Sequence, residues 1–278
     1  TSLPETAVSV TASLVNNNEL AVSNVVGSNI FNLMVVVGVC SILTPILVQK
    51  ETIKRDIPFS MICAFLLLGL GILAVGDKSG MTLGHLDGMI LLGFFAGYIV
   101  AMIQSAMKAR AAGKNVEIEG IEELEEEIGI LSWPKSILFI VGGALAIAFG
   151  GDLTVDAASR IAIDLGMSQT LVGLTIVSIG TSLPELVTSI VASKKGENEL
   201  ALGNVIGSNP FNILFVLAAS CTISPMKVDR LSIFDGIFLI VSSIVTWILA
   251  KRGYEIDRRD GAIMVALYVA YAVYIVVR

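Results

Sequence analysis

Two glutamates stand where charge is expensive. Glu5 and Glu185 each close a Thr-Ser-Leu-Pro-Glu pentapeptide, Thr1 to Glu5 and Thr181 to Glu185, and each lies within an apolar segment. A carboxylate deep in such a segment costs about 3 kcal/mol on membrane-insertion scales, so it marks a functional site. Each glutamate follows a proline, Pro4 or Pro184. Proline lacks a backbone donor and clashes with the carbonyl one turn earlier. The helix should therefore open around Thr-Ser and free carbonyl oxygens, which hydrocarbon tolerates only where they face protein or a polar cavity. Thr1 and Glu5 are four residues apart, as are Thr181 and Glu185, so hydroxyl and carboxylate approach one another.

The helix that follows each pentapeptide adds a polar stripe. Asn24, Ser28 and Asn32 are spaced by four and share one face; Asn204, Ser208 and Asn212 repeat the stripe. Ser28, Asn32, Ser208 and Asn212 are ligand candidates, whereas Asn24 and Asn204 fit interhelical hydrogen bonding equally well. Gly27 and Gly207 permit close backbone approach. Carboxylates, hydroxyls, amide oxygens and freed carbonyls form an all-oxygen set, which suits hard cations such as calcium and sodium. Two carboxylates balance one divalent ion. Magnesium fits less well, because it dehydrates reluctantly.

Other chemistries find no support. His85 is the only histidine, which excludes a His-based metal site or triad, and no GxxxxGK[ST] phosphate loop occurs. An intramembrane hydrolase would want a serine with a base, or paired aspartates on adjacent helices. Cys40, Cys63 and Cys221 sit in apolar runs without metal spacing and read as small buried thiols. No enzyme activity and no cofactor are expected. The net charge of −6 reflects one loop, with 7 glutamates between Glu117 and Glu127, and gives no footing for a nucleic-acid partner.

The elements that must hold these residues are membrane helices. Hydrophobic residues make up 55% of the 278, and only 15% are charged, where a soluble chain carries about 25%. Apolar stretches long enough to cross a bilayer recur throughout. Residues 1–45 and 181–225 match at 21 of 45 positions without a gap, including Asn18 to Asn32 against Asn198 to Asn212. The chain is thus a tandem repeat with a period of 180. Spans are expected near 1–14, 20–46, 57–76, 86–107, 135–150, 168–193, 200–223, 232–250 and 261–277. The second copy has an apolar segment and a half ahead of Thr181 with no counterpart before Thr1. The expected plan is therefore two repeats of five helices, the first helix and a half lying outside this chain.

Lysine and arginine collect on the cytoplasmic side. With the acidic loop at 108–134 placed inside and the spans alternating, thirteen of the 18 basic residues fall inside and five outside. The turn at Val15 to Glu19 has no basic residue, whereas its counterpart opens with Lys194 and Lys195. Equivalent turns thus lie on opposite faces, which an odd number of helices per copy requires. Inverted repeats with interrupted helices are a recurring plan of secondary transporters.

TSLPE followed by GNxxGSNxFN, in duplicate, resembles the alpha-repeats of the sodium/calcium exchanger superfamily, prokaryotic type, and the resemblance spans essentially the whole chain. It implies ten helices with the four motif helices clustered at the midplane. It implies that Glu5 and Glu185 bind calcium and sodium in turn. It also implies ligands at Thr1, Ser2, Ser28, Asn32, Thr181, Ser182, Ser208 and Asn212, with a backbone carbonyl near Ser178. Many relatives carry Asp in one copy at the position of Asn32 or Asn212, whereas here both are Asn; in potassium-dependent relatives an Asp at the second-copy position goes with potassium transport, so the resemblance implies that Asn212 argues against potassium coupling.

The expected protein is thus an all-α, multi-pass antiporter in a prokaryotic plasma membrane. Residues 1–107 form the first inverted repeat, 108–134 a cytoplasmic acidic loop, and 135–278 the second repeat. Its partners are calcium, sodium and the lipid bilayer. A calcium/proton or potassium-coupled exchanger and a cation channel remain alternatives. The acidic loop reads as a solvated linker, Trp133 as an interface anchor, and Asp77, Asp87, Asp152 and Asp156 as loop caps or ion-entry charges.

Overall fold

The computed structural model describes residues 1–73, 82–111, 132–164, 166–228 and 230–278. The acidic run and Asp77 lie outside them. In the first repeat, α1 (Leu3–Leu14) is followed by α2 (Asn18–Phe31), which continues through a π-helical turn at Asn32–Val36 into α3 (Val37–Leu43). A π turn at Thr52–Asp56 leads into α4 (Ile57–Leu73), and α5 (His85–Ala111) completes the repeat. The second repeat opens with α6 (Trp133–Asp164) and α7 (Gln169–Val172), then a π turn at Gly173–Val177 and α8 (Ser178–Thr181). Next come α9 (Leu183–Lys194) and α10 (Asn198–Phe211), then a π turn at Asn212–Leu217 and α11 (Ala218–Ile223). The chain finishes with α12 (Arg230–Gly253) and α13 (Arg258–Val277).

By length and composition, six of the described helices can cross a membrane, and the pair Thr170–Thr181 and Leu183–Lys194 adds a seventh, bent span. The protein is a polytopic membrane protein. Its outer surface carries exposed Phe94, Ile103, Val241 and Ile248, while its centre buries Glu, Asn and Ser. This inversion of the soluble pattern is what a lipid solvent selects.

Four two-residue strands, not foreseen in an all-helical reading, set the topology. β1 (Ile46–Leu47) pairs antiparallel with β4 (Glu255–Ile256), and β2 (Thr82–Leu83) pairs with β3 (Met226–Lys227). One span, α4, separates β1 from β2, so the two pairs sit on opposite faces of the membrane. β1 and β3 are equivalent positions in the repeats, 180 residues apart, yet they fall in different pairs. The repeats are therefore inverted. Each pair joins a loop of one repeat to a loop of the other.

Packing crosses between repeats in the same way. α3 lies against α13, and α5 against α11. Gly38 and Gly261 make the first crossing possible: a Cβ on Gly261 would come within 2.5 Å of the Gly38 carbonyl oxygen. Gly27 does the same for α2, where a Cβ would meet the Ser178 Cβ at 2.8 Å. Gly207, its repeat mate, has no atom within 4 Å of an added Cβ, so the expected close approach occurs only at Gly27.

Helix starts follow ordinary capping. Asp257 accepts from the amides of Arg259 and Asp260, both at 2.8 Å, and closes a capping box at the head of α13. Those amides, Asp260's first, hold the Asp257 carboxyl below its usual range. Asp87 accepts from the Gly84 amide at 2.8 Å and so caps α5. α6 runs through Gly150, Gly151 and Asp152 to Asp164, past the expected end near residue 150, so Asp152 and Asp156 fall inside a helix. Glycine next to a capping residue reads as a stop, but it only weakens a helix. Trp133 is exposed at the start of α6. All three cysteines are free and buried.

Candidate ion-binding site

The span holding Glu185 breaks where proline forces it to. Ser182 sits between α8 and α9 at φ −90° and ψ 6°, and the two segments meet at 41°. Pro184 has no N–H to offer the Gly180 carbonyl four residues earlier. Glu185 falls in the first turn of α9, and Glu5 in the first turn of α1. Free amides and the helix dipole favour a carboxylate there.

Both carboxylates are fully buried, and each takes its hydroxyl donor from the opposite repeat. Ser182 Oγ donates to Glu5 Oε1 at 3.0 Å, and Ser2 Oγ donates to Glu185 Oε1 at 3.2 Å. The two acidic side chains, 180 residues apart in sequence, therefore belong to one cluster.

The stripes of α2 and α10 reach across in the same manner. Thr181 Oγ1 donates to Asn24 Oδ1 at 3.2 Å and lies 3.3 Å from Ser28 Oγ, which itself donates to the Ser178 carbonyl at 3.4 Å. Thr1 Oγ1 donates to Asn204 Oδ1 at 2.9 Å and lies 3.5 Å from Ser208 Oγ. The Ser178 hydroxyl turns back to the Leu174 carbonyl at 2.7 Å, leaving its backbone oxygen as the atom facing α2. Asn24 Nδ2 donates to Ser9 Oγ at 2.9 Å, and Asn204 Nδ2 to Ser189 Oγ at 3.2 Å. With both ends of their amides engaged, Asn24 and Asn204 act as interhelical connectors.

Asn32 and Asn212 stand at the head of π-helical turns, a feature frequent at functional sites. Asn32 Nδ2 donates to Asn209 Oδ1 at 3.3 Å, and Asn212 Nδ2 to Asn29 Oδ1 at 3.1 Å. Neither Asn29 nor Asn209 stands out from the four-residue spacing. The signal that could have found them is their place in the duplicated Gly-Ser-Asn triplet.

Among the predicted site residues, four buried oxygens have no hydrogen-bond partner: Glu5 Oε2, Glu185 Oε2, Asn32 Oδ1 and Asn212 Oδ1. An unsatisfied buried acceptor carries its full desolvation penalty. Two come from each repeat and two are carboxylate, and oxygens of these kinds are what a hard cation takes. Of the eleven predicted site residues, Thr1 is exposed and the others are buried. All but Asn32 and Asn212 are linked by hydrogen bonds to one another or to the Asn24 and Asn204 connectors, and those two join the Asn29–Asn209 pair. Among the described residues no three His, Cys, Asp or Glu side chains converge, so neutral oxygens must complete any coordination.

A family model described as "Sodium/calcium exchanger protein" matches residues 1–104 and 135–277. The "Putative antiporter CaxA" of Alkalimonas amylolytica is 34% identical over 97% of this chain and 82% of its own length. The "Sodium/calcium exchanger MaX1" of Methanosarcina acetivorans is 31% identical over 98% of this chain and 85% of its own. Among solved structures, the sodium-calcium exchanger NCX_Mj, soaked with sodium and strontium, superposes with a TM-score of 0.72 at 29% identity. It covers 97% of this chain and 81% of its own.

Proposed function

Because this chain belongs to the sodium/calcium exchanger protein family, we propose that it exchanges calcium for sodium across a prokaryotic plasma membrane, with both ions bound in turn between Glu5 and Glu185. One observation carries the reading. Two buried carboxylates from inverted repeats each keep an oxygen without a partner, and so does one buried asparagine amide of each repeat, Asn32 and Asn212. One calcium, or several sodium ions, would neutralise the pair. Ser2, Ser182, Thr1, Thr181, Ser28, Ser208, Asn32, Asn212 and the Ser178 carbonyl supply the remaining oxygens.

The doubly charged empty site is costly in a low dielectric. The protein therefore switches between faces only when loaded, which yields obligatory exchange and prevents leak. Inverted repeats supply the switch: the two halves, 1–107 and 135–278, exchange conformations about the fixed site. The acidic segment between the two halves is assigned to the cytoplasmic side, where the basic residues gather.

Calcium flux in proteoliposomes tests this. Uptake of labelled calcium should require sodium inside the vesicle, and Glu185→Gln should lower it at least about 100-fold while the protein stays folded, since the pair then carries one charge too few. Uptake driven by a pH or potassium gradient alone would replace sodium as the coupled ion. Uptake without any counter-gradient would mean a channel. Undiminished flux in Glu185→Gln would remove the site altogether.

A further inference from the structure

Asparagine presents oxygen on one side and nitrogen on the other, and only the oxygen can bind a cation. Something must therefore fix which way Asn32 and Asn212 turn. Asn29 Nδ2 donates to the Asn209 backbone carbonyl at 3.2 Å, and Asn209 Nδ2 donates to the Asn29 carbonyl at 3.3 Å. A carbonyl can only accept, so both side-chain nitrogens are fixed there. The oxygens, Asn29 Oδ1 and Asn209 Oδ1, must then point the other way and can themselves only accept. Asn212 and Asn32 meet them, and must do so through nitrogen. Their oxygens are left facing away, buried and without partners. Two backbone carbonyls thereby fix four amides. A reversed Asn32 would set two acceptor oxygens against each other and aim an amide nitrogen at the ion.

We propose that Asn29 and Asn209 are positioning residues which hold the Asn212 and Asn32 amides with oxygen toward the transported ions. This rests on the ion site described above and extends it to residues that do not themselves touch the cargo. Each acts across the repeat boundary, so each half orients a ligand of the other. All four side chains are at most 1% exposed, so water does not compete for the amides.

A carboxylate at the ligand position offers oxygen whichever way it turns, and this separates orientation from mere support. In sodium-loaded proteoliposomes, Asn29→Ala should raise the calcium concentration for half-maximal uptake about ten-fold, the worth of one hydrogen bond to an ion ligand. The maximal rate should change less. In an Asn212→Asp background the same substitution should shift half-saturation less than about two-fold, because no amide remains to be oriented. Asn209→Ala with and without Asn32→Asp gives the mirror comparison should the first pair fail to yield folded protein. Equal losses in both backgrounds, or no loss in the parent while Glu185→Gln still abolishes uptake, would overturn the orienting role. Retained uptake in Glu185→Gln would instead remove the site beneath it.

Discussion

At the scale of single residues, the carboxylates depend on two serines that stand at the N-cap positions of α1 and α9. Ser182 serves Glu5 and Ser2 serves Glu185, at nearly equal distances. Hydroxyl bonds to charged acceptors are worth about 1.5–3 kcal/mol when buried. Ser2→Ala and Ser182→Ala should therefore weaken calcium each by about ten-fold, and by similar factors, in half-saturation of uptake. A large effect from one and none from the other would contradict the symmetry of the cluster. The acids and hydroxyls were legible in the sequence because duplication and intramembrane charge both single them out. Asn29 and Asn209 were not. A period of four starting at Asn24 selects 28 and 32, and residue 29 lies one step further round the helix. Only coordinates show that this neighbouring face meets the other repeat.

At the scale of elements, hydropathy foresaw the six helices long enough to cross the membrane, since each is a long apolar run. What it could not foresee are the π turns and the crossings. A π turn shifts hydrogen bonding by one residue and leaves no mark in composition. Crossings depend on which helices meet, and spacing along one helix says nothing of its partner. The α3–α13 contact is close at Gly38 and Gly261, where the facing atom is a backbone carbonyl oxygen. Gly261→Ala would drive a methyl group against a backbone carbonyl that cannot move aside, so the helices must separate. A loss of about 1–3 kcal/mol is expected, read as a lower Tm in detergent. Gly203→Ala, where an added Cβ meets nothing within 4 Å, should hold or raise Tm through better helix propensity. Equal Tm changes at both sites would mean that the crossing is not close.

At the scale of the whole molecule, inverted topology makes a prediction about access from either face. Leu47 and Lys227 are equivalent positions in β1 and β3, and both are exposed. Leu47→Cys and Lys227→Cys should react with a membrane-impermeant thiol reagent from opposite sides of sealed vesicles. The native cysteines, all buried, give little background. Labelling of both from one side would contradict the strand pairing. The repeat itself was legible as 21 identities at an offset of 180, and the opposing lysine pattern already implied inversion. The strands were not, because two residues carry no periodicity. The hydroxyl donors to the carboxylates, the amide orientation, the strand pairs and the α3–α13 and α5–α11 crossings run between the two copies rather than within one. A polypeptide with a single copy could never assemble half of this machine by itself. It would need a twin threaded upside down through the same bilayer, and a gene split between the copies should recover transport only when both fragments are made together.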